Sequence, residues 1–183
     1  MRKTITIGGL HGTGKSSLAD RMAKHFKLRR VSAGVIFRGL AKERGMSLEE
    51  FSKFAEGNEE IDRELDARQK IEAEKGNLVM DGQLAAWMAG EYSDFNILLL
   101  ASLEERVRRI SDRDCTDYDY ANNETVVREK SERERYKEYY AIDVADLSIY
   151  DLIINTDKFD LDGVVAIAVA AVTALLNQPQ AEG

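Results

Sequence analysis

The sequence predicts an α/β fold of three layers: a five-stranded parallel sheet with helices on both faces. Three observations predict it. Five short runs rich in β-branched and aliphatic residues are spread along the 183 residues. Helical periodicity fills the gaps between them. The runs are almost continuously apolar, as expected of strands covered on both faces, rather than alternating as in a sheet with one wet face.

Taken in order, Thr4–Ile7 reads as the first strand and Ser17–Phe26 as the helix after it. Arg30–Ser32 is the second strand. The stretch Ala33–Lys75 contains several helices, the last of them the charged run Asn58–Lys75. It is about twice as long as the first crossover, and such an excess in an α/β fold is an inserted functional element. Asn77–Met80 and Phe95–Leu100 are the third and fourth strands, followed by a helix over Leu103–Arg113. The polar segment Asp112–Glu124 (DRDCTDYDYANNE) reads as a mobile loop. A helix over Asn123–Tyr140, the strand Leu152–Asn155 and a last helix Val164–Leu176 complete the chain. The tail Asn177–Gly183, which holds the single proline, has no readable role. No linker divides the sequence, so residues 1–183 are expected to form one domain.

Composition narrows the function classes. The chain is 44% hydrophobic and 32% charged, and this length buries roughly 70% of its unfolded surface, which excludes global disorder. One cysteine, Cys115, excludes a disulfide scaffold. The net charge of -7 argues against nucleic acid as a partner. The apolar run Val164–Leu176 is too short for a bilayer, which needs roughly 20 residues. A cytoplasmic, soluble monomer without membrane contact is expected.

The strongest motif is Gly9-Leu10-His11-Gly12-Thr13-Gly14-Lys15-Ser16, a complete G-x-x-x-x-G-K-[ST] between a strand and a helix. Glycines let the backbone wrap phosphates with its N–H groups inward, and the helix N-terminus adds positive potential. Lys15 is expected to reach the β/γ-phosphates of ATP, Ser16 to ligate Mg²⁺, and Ser17 to open the helix beneath them. His11 is expected to contribute its backbone and shape rather than its ring. Asn155-Thr156-Asp157-Lys158 has the wrong order for a guanine-reading N-K-x-D, which leaves a small kinase with a second substrate opposite the triphosphate.

On that second side, Arg38 lies one turn into a helix at the carboxyl edge of the sheet, where α/β folds bind ligands. An arginine can hold a phosphate with a planar fork. Ser32-Ala33-Gly34-x-x-Phe37-Arg38 resembles the acceptor signature of nucleoside monophosphate kinases. More narrowly, the chain resembles the archaeal-type cytidylate kinases, through Glu60-Ile61-Asp62-Arg63-Glu64-Leu65-Asp66-x-Arg68-Gln69, Leu84-Ala85-x-Trp87-Met88, Arg128-Glu129-x-Ser131-Glu132 with Arg135-Tyr136, and Asp146-Leu147-Ser148-Ile149-Tyr150-Asp151-Leu152. The match spans most of residues 3–175. It implies a P-loop kinase fold and transfer of the γ-phosphoryl of ATP to CMP, and to dCMP. It also implies that 33–75 is the acceptor-binding insertion, holding acceptor at Ser32, Gly34, Phe37 and Arg38, and that 112–124 is a short lid.

One departure stands out. The family commonly has E-G-R-L-A where this chain has Asp81-Gly82-Gln83-Leu84-Ala85. Asp81 keeps a carboxylate that can hold Mg²⁺ through water or orient the acceptor. Gln83 replaces a guanidinium by a neutral amide, a loss of about 1.5–3 kcal/mol if that group contacts the acceptor.

Phosphoryl transfer asks the protein for positioning and cationic stabilisation. Arg109 and Arg113, four apart on one helical face, resemble the lid-entrance R-I-x-x-R. Arg128 and Arg135, seven apart, follow the polar segment. With Lys15 they form the expected catalytic set. The neighbouring acids leave open that some are surface ion pairs. The alternatives are a kinase for AMP, UMP or another small acceptor on the same fold, and a nucleotide-binding regulator without kinase activity.

Overall fold

The computed structural model describes residues 3–56 and 58–177, so the tail beyond Asn177 lies outside it. The chain runs β1 (Thr4–Gly8), α1 (Lys15–Phe26), β2 (Arg29–Ser32), α2 (Ala33–Glu43), α3 (Leu48–Glu56), α4 (Glu59–Lys75), β3 (Leu78–Asp81) and α5 (Ala85–Ala89). After a 3-10 turn at Gly90–Tyr92 come β4 (Phe95–Leu100), α6 (Leu103–Asp114), α7 (Tyr118–Tyr140), β5 (Leu152–Asn155) and α8 (Leu161–Leu176).

The five strands pair in the order β2-β3-β1-β4-β5, all parallel. β1 is the middle strand, and every one of its residues is buried. The chain passes to one side of β1 for β2 and β3 and to the other for β4 and β5. That change of side opens a crevice at the carboxyl end of β1. Register brings Ile7 beside Asp81 and Asp81 beside Ser32, so residues far apart in sequence share this edge.

Three apolar clusters hold the layers. α1 and α8 cover one sheet face through Leu18, Met22, Val164 and Ala168 against Ile5, Ile7, Ile97 and Leu99. Leu78, Met80, Ala85 and Ala89 pack the other face. The insertion has its own small core, where Leu40, Phe51 and Ile61 join α2, α3 and α4. Fully burying Phe51 there contributes about 1.5–3 kcal/mol, so the insertion is a packed unit and not a loose loop.

The segment 112–124 departs from the expectation of a mobile loop. α6 continues to Asp114, where Cys115 takes a left-handed conformation (φ 53°) and ends it. The Thr116 N–H returns to the Ser111 carbonyl at 3.1 Å. Asp117 then caps α7 by accepting from the N–H groups of Asp119 and Tyr120. The segment is thus a helical hairpin with a three-residue turn. Its polar composition concealed this because a capping aspartate and a loop aspartate are the same residue, and α7 carries no apolar stripe to show its period.

Candidate active site

The phosphate loop joins β1 to α1 through three glycines with positive φ: Gly9 (139°), Gly12 (79°) and Gly14 (92°). At two of them space also forbids a side chain. A Cβ on Gly9 would lie 2.5 Å from the Leu99 carbonyl oxygen, and one on Gly12 would lie 2.5 Å from that of Arg106. Four loop carbonyls are engaged by side chains. Lys15 Nζ donates to Leu10 O at 2.7 Å, Arg106 to His11 O at 3.1 Å, Arg109 to Gly12 O at 3.4 Å and Thr156 Oγ1 to Thr13 O at 3.4 Å. These contacts fix the loop's backbone, whose amides are the donors that a phosphate requires. Burial pushes the Lys15 ammonium down to about 8, against the pull of Asp81, Glu132 and Glu129. An incoming anion restores its preference for charge.

Asp81, at the end of β3, joins this loop to the other half of the crevice. Its carboxylate accepts from Ser16 Oγ at 3.0 Å, from Ser32 Oγ at 3.2 Å and from Arg30 Nε at 2.9 Å. Ser16 and Asp81 are hard oxygen donors side by side, the set that suits Mg²⁺, which takes one or two protein ligands and completes its shell with phosphate and water. Among the described residues no cluster of three His, Cys, Asp or Glu could hold a metal by itself.

A second carboxylate, Glu132 of α7, clamps the loop from above. His11 Nε2 donates to its Oε2 at 2.7 Å, the Gln83 amide donates to the same oxygen, and Arg128 Nε donates to Oε1 at 2.9 Å. Burial pushes the Glu132 carboxyl up, but His11 and Arg128 outweigh it and hold the group down at about 2. Three residues earlier, Glu129 receives the buried Arg106 guanidinium in a forked pair. A cavity of about 220 Å³ adjoins the loop, bounded by Thr13, Arg109, Thr156, Phe159 and Val164. A larger one, about 470 Å³, opens on the outer edge of β2 between α2 and α4, and no residue of the phosphate loop borders it.

Residues 4–158 match the cytidylate kinase-like family. The chain is 51% identical over 174 residues to the cytidylate kinase of Methanocaldococcus jannaschii, covering 93% of this chain and 98% of that one. It is 47% identical over 171 residues to the cytidylate kinase of Pyrococcus horikoshii, covering 93% and 88%. The chain belongs to the cytidylate kinase-like family. Solved structures show the same P-loop kinase fold at low identity. Shikimate kinase from Bacteroides thetaiotaomicron superposes with a TM-score of 0.63 at 15% identity, covering 97% of this chain and all of that one. A gluconokinase from Sinorhizobium meliloti gives 0.62 at 13%, covering 95% and 93%.

Within this member of the cytidylate kinase-like family, the expected site residues fall into four groups. Lys15, Ser16, Ser32, Asp81, Gln83 and Arg128 meet around the phosphate loop through the contacts above. Arg109 borders the 220 Å³ cavity and is fixed there by Thr156 and Glu105. Arg38 lies on the exposed side of α2, beside Gly34, and makes no hydrogen bond or ion pair with a described residue. The others are engaged elsewhere. Phe37 packs its ring against Phe51, with centroids 4.8 Å apart, inside the insertion's core. Arg113 is exposed and forks onto the adjacent Asp114. Arg135 pairs with Asp62 of α4 at 3.2 Å.

Sequence reasoning gave His11 only a backbone role, whereas its ring is a principal partner of Glu132. It missed Arg30, Arg106, Glu129, Glu132 and Thr156 as loop supports. The acids of α7 read as solvated i,i+4 partners, and Glu132 does pair with Arg128 in that way. The signal for the rest was available only in part. Glu129 and Glu132 are three apart and share a helical face, but nothing local says that the face turns inward.

Proposed function

We propose that the protein is an ATP-dependent cytidylate kinase, transferring the γ-phosphoryl group of ATP to CMP, and to dCMP, as a cytoplasmic monomer. The observation that carries this is the Asp81 network. One carboxylate touches the phosphate-loop hydroxyl of Ser16 and the acceptor-segment hydroxyl of Ser32, so donor and acceptor halves meet at one point of the sheet edge. The high identity to cytidylate kinases over almost the whole chain supports CMP as the acceptor.

In this reading the loop amides and Lys15 hold the triphosphate. Arg109 lies beside the 220 Å³ cavity, where the donor base stacks. Ser16, with Asp81 through water, would hold Mg²⁺, which would supply charge neutralisation to the triphosphate. Arg38 offers an uncommitted guanidinium to the acceptor phosphate. Arg128 faces the loop from α7. Arg113 and Arg135 join the phosphates only if the α6–α7 hairpin swings over the loop. No general base is required, because the acceptor is already an ionised phosphate.

The test is ADP release with MgATP and CMP, dCMP, UMP, AMP or GMP, against a control without acceptor. Turnover centred on CMP and dCMP is expected. Acceptor-independent release alone would sink the kinase reading in favour of a nucleotide-binding regulator.

A further inference from the structure

α4 buries a polar stripe beside the apolar residues, Ile61 and Ala73, that join it to the cores. Asp62, Asp66 and Gln69 are four and three residues apart, so they lie along one stripe of the helix, and all three are more than nine-tenths buried. A helix on a protein core ordinarily turns an apolar stripe inward. This stripe meets α7 instead: Arg135 pairs with Asp62, and the Tyr140 hydroxyl faces the Asp66 carboxyl without a well-formed hydrogen bond. At its far end, Gln69 Oε1 lies 3.5 Å from where a Cβ on Gly82 would stand. That is one residue beyond Asp81, at the same sheet edge as Ser16 and Ser32.

Buried polar atoms in native proteins find partners almost without exception. Among the described residues four buried side-chain atoms have none, and three of them border this stripe: Gln69 Oε1, Arg135 Nε and Tyr140 OH. The first can only accept a hydrogen bond, the second can only donate, and the third can do either. The Gln69 amide is not free to exchange its ends, because its Nε2 donates to Asp66 Oδ1 at 3.0 Å. The acceptor oxygen is therefore the end presented toward Gly82.

We propose that this stripe reads the base of the acceptor nucleotide, with Gln69 Oε1 accepting from the exocyclic amine of cytosine and Arg135 donating to its N3/O2 edge. This rests on the proposed kinase reaction and deepens it. Cytosine offers an N4 donor beside two acceptors, N3 and O2, along one edge. Uracil carries a carbonyl in place of the amine, which would set one lone pair against another at Gln69. A site built to bond a substrate N–H rejects the analogue lacking it, because a buried polar group is then left unpaired. It also gives Arg135 a role at the base rather than at the phosphates.

The experiment compares CMP, UMP and the 2-pyrimidinone ribonucleotide, which is CMP without its amine, on the unaltered protein and on Gln69→Leu, with a thermal melt of each. In the unaltered protein, loss of the amine should reduce kcat/KM about 10- to 100-fold. In Gln69→Leu, CMP should fall to the level of the amine-free analogue, so that the penalty for losing the amine collapses to less than roughly threefold while KM for ATP holds. An equal penalty in both proteins, or an unaltered protein indifferent to the amine, overturns the assignment and leaves the kinase intact. Absence of acceptor-dependent turnover with every nucleotide overturns the kinase reading itself. Arg135→Lys is the second variant, since it retains a charge for Asp62 and loses the fork. It should weaken CMP roughly tenfold without moving KM for ATP, and unchanged CMP use would count against the assignment.

Discussion

The phosphate loop and the seam where α4 meets α7 are both polar, yet they are finished to different degrees. Around the loop, carbonyls have donors, and the two carboxylates beside it, Asp81 and Glu132, each hold three. Across the α4–α7 seam, Gln69, Arg135 and Tyr140 each keep a buried polar atom unpaired, and Arg38 makes no hydrogen bond or ion pair with a described residue. On the proposed reading the donor side is preorganised, so a triphosphate would meet a shape already made. The proposed acceptor side keeps polar atoms that a bound acceptor would partner. That division suits a kinase: a site completed only by its acceptor withholds transfer to water until the acceptor is in place.

The sharpest way to break the donor side is Lys15→Ala. Turnover should fall roughly 10²–10³-fold, measured by coupled ADP release. The melting temperature should not fall, because burial disfavours the ammonium. A large loss of stability would mean that Lys15 is a structural residue first.

Glu132→Gln attacks the same side through its scaffold. The carboxyl sits at about 2 against an ordinary 4.5, so it stabilises the folded state by about 2–4 kcal/mol above pH 4.5. That contribution is lost as pH falls from 4.5 through 2. Denaturant unfolding at several pH values should show the variant less stable at pH 7, with the gap narrowing below pH 4.5. A gap independent of pH would remove the ionised carboxylate from the account.

Arg38→Ala should act on the acceptor side alone. Removing an uncommitted guanidinium from a phosphate contact should raise KM for CMP about 10- to 100-fold. KM for ATP and the melting temperature should stay near their original values, since surface changes of this kind move stability by about 0.5 kcal/mol or less. Equal effects on both nucleotides would erase the distinction between the two sides.

The same contrast explains what the sequence made legible. The loop is built from the backbone of one contiguous segment, so Gly9 to Ser16 announces it as a motif, and the five strands announce themselves as apolar runs. The proposed acceptor side draws on side chains of α2, α4 and α7, which come together only through strand order and helix rotation. Asp62, Asp66 and Gln69 are ordinary polar residues on a charged helix until the fold turns them inward. Phe37, expected at the acceptor, is half-buried and packs against the insertion's core, because spacing gives its face of α2 but not what α3 places against it. Asp117 looked like a loop residue and is a helix cap for a similar reason: its neighbours, not its chemistry, decide.

The smallest expected effect tests whether the unfinished side costs stability. Burial pushes the Asp66 carboxyl up to about 6 from its ordinary 3.8. A carboxyl raised in the folded state makes its own contribution to stability fully below pH 3.8 and loses it as pH rises through 6. Asp66→Asn removes the charge that burial penalises and keeps an oxygen of similar shape. Its advantage over the unaltered protein should therefore grow between pH 4 and 6 and level off above, reaching about 1 kcal/mol, or roughly 2–4 °C in the melt. The asparagine can also donate, which loosens the hold on the Gln69 amide, so CMP should lose part of its preference over UMP in the variant that melts higher. Stability gained together with selectivity lost is the outcome expected of a polar stripe shaped for a ligand. A variant that melts lower at pH 7 would place Asp66 among the residues that hold α4 to α7.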